Sequence, residues 1–337
     1  MRERWHRLHN TTHLSVTLCV VVFLGSLLWF ASAVSEGRDE EDSDTCDTPH
    51  WHPLDETLLV YPLNSIASTQ DEAKRIAEEE GWKALVVDND NNNNNPPPPP
   101  RSFVVTTREQ TQGRGTNGRS WMGQRGNVFC TIGIRQSDWI QTKIPLTLLP
   151  LKVGSLVAQH VQRLLDECIS GSQDPNGLPM VTVKWPNDVL VNEQKISGIL
   201  IESSLNGWFL IGIGINLAYA PQVAMTGPDR GRPATSISNL CSEQESSSPL
   251  WGEKQAQQLG IDLAYDLHSF LLQENADLGT RVLEDWKQWI DWDMELVMRD
   301  TPEQERVRMV GVLPDGRVQV RNVDDGRIRT LVSDYFL

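Results

Sequence analysis

From residue 56 onward, short runs in which apolar and polar positions alternate are separated by turn residues, which is the signature of half-buried strands. "ETLLVYPLNSIAST" (56–69), "KALVVD" (83–88), "SFVVTTRE" (102–109), "NVFCTIGIR" (127–135) and "GWFLIGIGINL" (207–217) read this way. "VTVKWPNDVLVN" and "QKISGILIESS" form a strand pair around a turn. Helical spacing enters between them. "TQDEAKRIAEEEG" predicts a short helix ending near Gly81, and "TLLPLKVGSLVAQHVQRLLDECI" a long one with Leu156, Val157, Val161, Leu164, Leu165 and Cys168 on one stripe. "KQAQQLGIDLAYDLHSFLLQ" and "LEDWKQWI" predict two more helices. From about Glu295 the style changes to short alternating strands with "PDG" and "DDG" turns. That unit of about 45 residues is too small to be robust alone and is expected to dock on the main domain.

Composition limits where this fold works. The 337 residues carry 30 Lys+Arg against 45 Asp+Glu, a formal charge of -15, which opposes general attraction to nucleic acid or an anionic bilayer. Arg2, Arg4 and Arg7 precede "LSVTLCVVVFLGSLLWF", which is followed by "ASAV". Residues 1–35 therefore read as a signal peptide or an uncleaved signal anchor, placing the rest on the lumenal side; cytoplasm or an organelle is the alternative. Residues 36–55 read as an acidic, disordered linker in which His50 and His52 are solvated. "NDNNNNNPPPPP" (89–100) reads as an insertion in a surface loop. Five widely spaced cysteines suggest neither a disulfide framework nor a zinc site, and His160 reads as a partly exposed helix residue.

Against that acidic background, clustered positive charge is informative. "TREQTQGRGTNGRSWMGQRGN" (107–127) sets Arg114 and Arg119 among Gly113, Gly115 and Gly118. Glycine lets backbone N–H groups approach an anion and arginine offers a fork of donors, so the string suits a phosphate-bearing ligand. An exposed Gly-rich loop would give the same string. No G-x-x-x-x-G-K-[ST] loop occurs, and strand character follows. "KWPNDVLVNEQK" groups Lys184, Trp185, Pro186, Asn187 and Asp188, with Lys195 beyond the turn. Core, turn and surface roles would each explain these residues singly, but their company with "GIGIN" is harder to attribute to packing.

At these stretches the chain resembles the catalytic domain of biotin protein ligases, in the superfamily shared with lipoate ligases. The resemblance rests on "EQTQGRGTNGRSW" (109–121), "KWPND" (184–188), "KISGIL" (195–200) and "GIGINL" (212–217), with weaker matches at "STQ" (68–70) and "PATSI" (233–237). It spans roughly residues 57 to 337. It implies an α+β fold: a mixed β-sheet with flanking helices, like a class II aminoacyl-tRNA synthetase, over residues 56–293. A small SH3-like C-terminal β-barrel over residues 294–337 would complete it.

The same resemblance implies a two-step reaction using ATP, biotin and Mg2+. Biotin is activated to biotinyl-5'-AMP, and a lysine of a biotin carboxyl carrier domain then attacks the mixed anhydride. Lys195, Arg114, Arg119 and Asp188 are the implied catalytic residues, Asp188 positioning the incoming lysine. Ser68, Thr69, Gln70, Gln112, Gly113, Arg114, Gly115, Lys195, Gly198, Gly212 and Gly214 are implied to bind biotin. Arg114, Arg119, Trp121 (over adenine), Lys184, Asn187 and Asn216 are implied to bind ATP, with magnesium held through the phosphates. Thr116 stands where an arginine that helps retain the adenylate is usual, and Gln70 where an Asn is usual. A homodimer is possible; DNA binding is not expected, because no helix-turn-helix pattern precedes the domain. A lipoate or octanoate ligase, and a non-catalytic biotin- or adenylate-binding protein, are the alternatives.

Overall fold

The alternation read in the sequence becomes one sheet because each run has one face of branched apolar residues to bury. A computed structural model describes residues 48–79, 100–169, 179–224, 231–241, 251–273, 277–298 and 305–332. The chain divides into two units, residues 1–45 and 46–337, and every described residue lies in the second. The leader, the strand reading for 83–88 and the Asn/Pro run except Pro100 lie outside the described residues.

Eight strands form the main sheet: β1 (His50–His52), β2 (Asp55–Ile66), β3 (Ser102–Gln110), β4 (Val128–Arg135), β5 (Val181–Lys184), β6 (Asp188–Val191), β7 (Gln194–Ser203) and β8 (Trp208–Ile215). Their order is β1-β2-β3-β4-β8-β7-β6-β5. Among the described strands of this sheet only β2 and β3 pair in parallel, so it is mixed. A parallel pair needs a crossover, and helix α1 (Thr69–Glu78) lies in it. Ser68 caps α1 by accepting from the Asp71 N–H, and Asp71 and Glu72 complement its N-terminal dipole.

The two faces of the sheet have different fates. Val104, Cys130, Ile132, Ile134, Ile211, Ile213 and Ile215 join the large core. Their partners come from α3 (Leu149–Ile169), α5 (Glu253–Leu271) and α6 (Leu278–Lys287). Two short helices, α2 (Gln136–Gln141) and α4 (Ile237–Cys241), were not marked by periodicity because they span too few turns to show one. On the opposite face a second core of Leu59, Ala73, Ile76, Phe103, Val105, Trp208 and Leu210 seats α1. Helix α1 covers only part of that face, and the rest holds the site.

Four expectations are corrected. The C-terminal strands β9 (Glu295–Val297), β10 (Arg306–Val312), β11 (Val318–Asn322) and β12 (Ile328–Leu331) form an antiparallel sheet in the order β12-β11-β10-β9, and the barrel is not closed. Its edge strands are three and four residues long, and Val307, Met309, Val318 and Val320 already bury their face in the main core. Residues 50–52, read as part of a disordered linker, pair with β2, and His52 is buried and stacked on Tyr265 at 4.6 Å. His160 is buried rather than partly exposed, with Nε2 2.8 Å from Asp266 Oδ2 and Nδ1 2.7 Å from Arg163.

The fourth correction concerns the cysteines: Cys168 and Cys241 form a disulfide across 73 residues. That separation hid the pair in the sequence; packing of α3 against α4 brings it together. Closing so long a loop stabilises the chain by about 4 kcal/mol on the chain-entropy account. Cys168→Ser should lower the unfolding free energy by that order in urea titrations. Mass analysis of the unreduced, alkylated chain should find Cys130 as a free thiol and Cys168 and Cys241 unmodified; alkylation of Cys168 would refute the bond.

Candidate functional site

The trough starts from the "GIGI" pattern of β8. Because neighbouring side chains point to opposite faces, Ile211, Ile213 and Ile215 enter the core while Gly212 and Gly214 turn to the open face. Gly214 pairs with Gly198 of β7 and Gly212 with Leu200, so the floor lacks side chains where two strands run side by side. The unfilled cavity above it is about 40 Å³, because the Gln70 and Trp121 side chains stand over Gly212 and Gly214. A Cβ on Gly212 would meet Gln70 Oε1 at 2.6 Å, and one on Gly214 the Trp121 ring at 2.3 Å. The Trp121 ring makes glycine necessary at 214, whereas at 212 the contact is with the end of the Gln70 side chain, which can shift.

The inner end of the trough is polar. Gln110 Oε1 accepts from the Thr69 N–H (2.9 Å) and hydroxyl (3.1 Å). Thr131 Oγ1 lies 2.9 Å from Thr69 Oγ1 and 3.2 Å from Gln70 Oε1. The Gln70 amide donates to Leu210 O at 3.2 Å and Glu202 Oε2 at 3.0 Å. Sequence reasoning missed Gln110, Thr131 and Glu202. It chose Gln112, which lies on a neighbouring outer cavity with Gly113 and Arg119, whereas Gln110 ends β3 and faces the trough. The available signal was register: β3 runs through Gln110, and Gln112 falls beyond it in the loop.

The other end is ionic. β6 and β7 join through Asn192 and Glu193, both at positive φ, as a two-residue hairpin turn demands. Leu190 pairs with Lys195 but Val189 pairs with Ser197, leaving Ile196 as a bulge. The extra residue re-aims Lys195, which in an unbroken strand would face away from Gly198. Its Nζ instead lies 2.6 Å from Asp188 Oδ1 and 5.5 Å from the Trp121 ring centroid. Lys184 Nζ is 3.9 Å from Asp188 Oδ2. Asp188 and Lys184 are buried. Burial alone would raise the Asp188 carboxyl, but Lys195, Lys184 and Arg119 outweigh it and hold it below the usual carboxylate range. Two ammonium groups on one carboxylate leave local positive charge, which favours an anionic ligand.

Behind Lys195, backbone bonds fix its strand: Lys195 N–H donates to Pro233 O, Thr235 N–H to Lys195 O, and the Asn216 amide to Thr235 O. Asn216 Oδ1 is buried without a hydrogen-bond partner. Asn187 lines the cavity and donates to Ile199 O.

The Gly-Arg stretch is a tight hairpin, with Asn117 and Gly118 at positive φ and the Gly115 N–H bonded to Arg119 O. The Arg114 guanidinium is held by Glu202 (2.6 and 3.2 Å) and Asp71 (2.7 Å). Arg119 bonds to Thr116 O and Oγ1. Trp121 packs over Gly198 and Gly214 and lines the trough. Ser68, Thr69, Gln70, Arg114, Gly115, Asn187, Lys195, Gly198, Gly212 and Gly214 line it too. Asp188, Lys184 and Asn216 stand behind it. Among the described residues no group of three or more His, Cys, Asp or Glu could hold a metal ion. The site's buried carboxylate is already paired, so the donor set does not make a resident magnesium site.

The family model described as "Biotin/lipoate A/B protein ligase family" matches residues 85–217. The biotin--[acetyl-CoA-carboxylase] ligase of Paracoccus denitrificans is 33% identical over 135 residues, 39% of this chain and 51% of that protein. The enzyme of the same name from Mycobacterium tuberculosis is 30% identical over 149 residues, 40% of this chain and 50% of that protein. The chain thus spans about half the length of these curated relatives. A solved structure of biotin protein ligase from Aquifex aeolicus in complex with biotin and ATP superposes with a TM-score of 0.52 at 21% identity. It covers 82% of this chain and 97% of that one, a likeness of fold. Residues 85–217 thus match the model of the Biotin/lipoate A/B protein ligase family, within a chain whose fold is like that of the Aquifex aeolicus protein.

Proposed function

We propose that this chain is a biotin protein ligase, which joins biotin to ATP as biotinyl-5'-AMP with release of pyrophosphate and passes the biotinyl group to a lysine of a biotin carboxyl carrier domain. The observation that carries the reading is the glycine-floored trough with a hydrogen-bonding inner end and a cationic outer end. A ureido ring's two N–H donors and carbonyl match Thr69, Gln110 and Thr131, which bond to one another, whereas a dithiolane could only displace those bonds and return none. That favours biotin over lipoate.

With the ring seated inward, the acid's carboxylate lies toward Lys195. The chain's own work is alignment and charge: Lys195 holds the anionic acid and then the phosphate, and Arg119 adds positive charge at the mouth. Asp188 fixes Lys195 and favours the approach of an amine, whose reference pKa near ~10.4 requires loss of a proton before attack. Magnesium would arrive with ATP on the phosphate oxygens and offset their charge.

Biotin-dependent exchange of labelled pyrophosphate into ATP tests the first half-reaction on the purified full chain. Exchange with biotin and none with lipoate is expected; exchange with lipoate alone would replace the reading by the other acid, and none with either would favour a binding protein. Lys195→Ala should lower the exchange rate by about 100-fold or more, as loss of a preorganised charge donor does, with an unchanged circular dichroism spectrum.

We further propose that the leader places the enzyme on the lumenal side of a membrane, a reading supported by the Cys168–Cys241 disulfide, since such bonds persist in oxidising compartments. No helix among the described residues is long and apolar enough to cross a membrane, and the leader lies outside them. A C-terminal fluorescent fusion should report a lumenal position that is lost on deleting residues 1–35; a cytosolic signal from the full-length fusion would overturn the placement.

A further inference from the structure

Lys195 is held at two levels: Asp188 holds its ammonium group, and a strap, residues 233–241, holds its main chain. Lys195 N–H donates to Pro233 O at 2.7 Å and Thr235 N–H to Lys195 O at 3.0 Å, so both main-chain groups of Lys195 bond to the strap. That support matters because Lys195 stands at the bulge in β7, where pairing with β6 is disrupted. The strap is bound onward as well: Asn216 Nδ2 donates to Thr235 O, Ile237 N–H to Asn216 O and Ser238 N–H to Leu217 O. Ile237 enters the core, but beyond it the strap is half-buried or exposed. It ends in α4, a helix of five residues, too short to be stable on its own. Its last residue, Cys241, is tied to Cys168 in the last turn of α3.

We propose that the Cys168–Cys241 disulfide is a positioning element for Lys195 and a redox switch on the acid end of the trough. Intact, it anchors the strap that fixes Lys195; reduced, it frees α4 and weakens the hold on an anionic ligand. The inference rests on the reading of Lys195 as the group that meets the ligand's carboxylate. A dithiol supplies the chemistry. One of its thiolates attacks one sulfur and releases the other cysteine, and its second thiolate then releases the first by closing a ring. The protein gains two electrons and two protons, and the dithiol is oxidised to a cyclic disulfide. Cys168 and Cys241 are half-buried and within reach of a small dithiol, whereas Cys130 is buried and already a thiol. None of the strap's bonds reaches Thr69, Gln110 or Thr131, which hold one another from α1, β3 and β4. The switch therefore acts on the ligand's charge and leaves its ring contacts alone.

Calorimetric titration of the full chain with biotin and with its uncharged amide, before and after dithiothreitol, reads the switch. Alkylation with mass analysis confirms each redox state, and circular dichroism confirms the fold. The oxidised chain should prefer the acid by about tenfold and the reduced chain by less than about threefold, with the affinity for the amide unchanged. Reoxidation with glutathione disulfide should restore the preference. The double variant Cys168→Val, Cys241→Ala puts apolar side chains in place of the bond and should behave like the reduced chain; it replaces that arm if reduction unfolds the protein. A tenfold preference that survives loss of the bond would overturn the inference and leave the ligase reading standing. So would an equal fall in both affinities, which is what a loss of general stability alone would give. Equal affinities in the oxidised chain would overturn the assignment of Lys195 and the inference with it, and binding of neither ligand would overturn the biotin reading as well.

Discussion

A buried carboxylate between two ammonium groups is the constraint around which the rest is arranged. Asp188, held between Lys184 and Lys195, would be costly to desolvate with a single partner, and a partner removed would leave an unpaired buried charge. Well-packed apolar residues would serve stability as well, so stability does not explain the cluster. It offers positive charge at one end of a trough, on side chains held by a bulge, a two-residue turn and the backbone of residues 233–235. Preorganisation of this kind is what a reaction between two anions needs.

The trough carries a second compromise. Gly198, Gly212 and Gly214 give up the β propensity and packing that branched residues would supply. The loss is offset on the other face, where the isoleucines of the same strand enter a core shared with α3, α5 and α6. One strand thus spends alternate residues on stability and access. The parallel β2–β3 pair adds α1, whose N-terminus delivers Ser68, Thr69 and Gln70 to the inner end.

Local signals made much of this legible. Period-2 and period-3.6 patterns marked the long helices and most of the described strands, and "GIGIN" and "KWPND" fall on the floor and the ionic end of the trough. What stayed hidden depended on distance or on side-chain facing. The Cys168–Cys241 pair required the packing of α3 on α4, and burial of His52 and His160 required their partners from α5. Gln110 was overlooked for Gln112 because the end of β3, which decides the facing, is not marked by a turn residue. Arg114 read as a phosphate grip, while its guanidinium is engaged by Asp71 and Glu202. Motif identity alone does not reveal which anion an arginine meets. The open C-terminal sheet has the alternation of a barrel, because alternation records which face is buried and not whether edge strands meet.

Under the proposed function, the positive charge left over at Asp188 receives the acid group of a ligand whose ring sits at the polar inner end of the trough. Calorimetric titration of the full chain with biotin and with its uncharged amide tests that claim most directly, because the two ligands share every contact except the one at Lys195. The acid should bind about tenfold more tightly, the equivalent of about 1.4 kcal/mol. Equal affinities would contradict the assignment of Lys195 and its neighbours to the carboxylate.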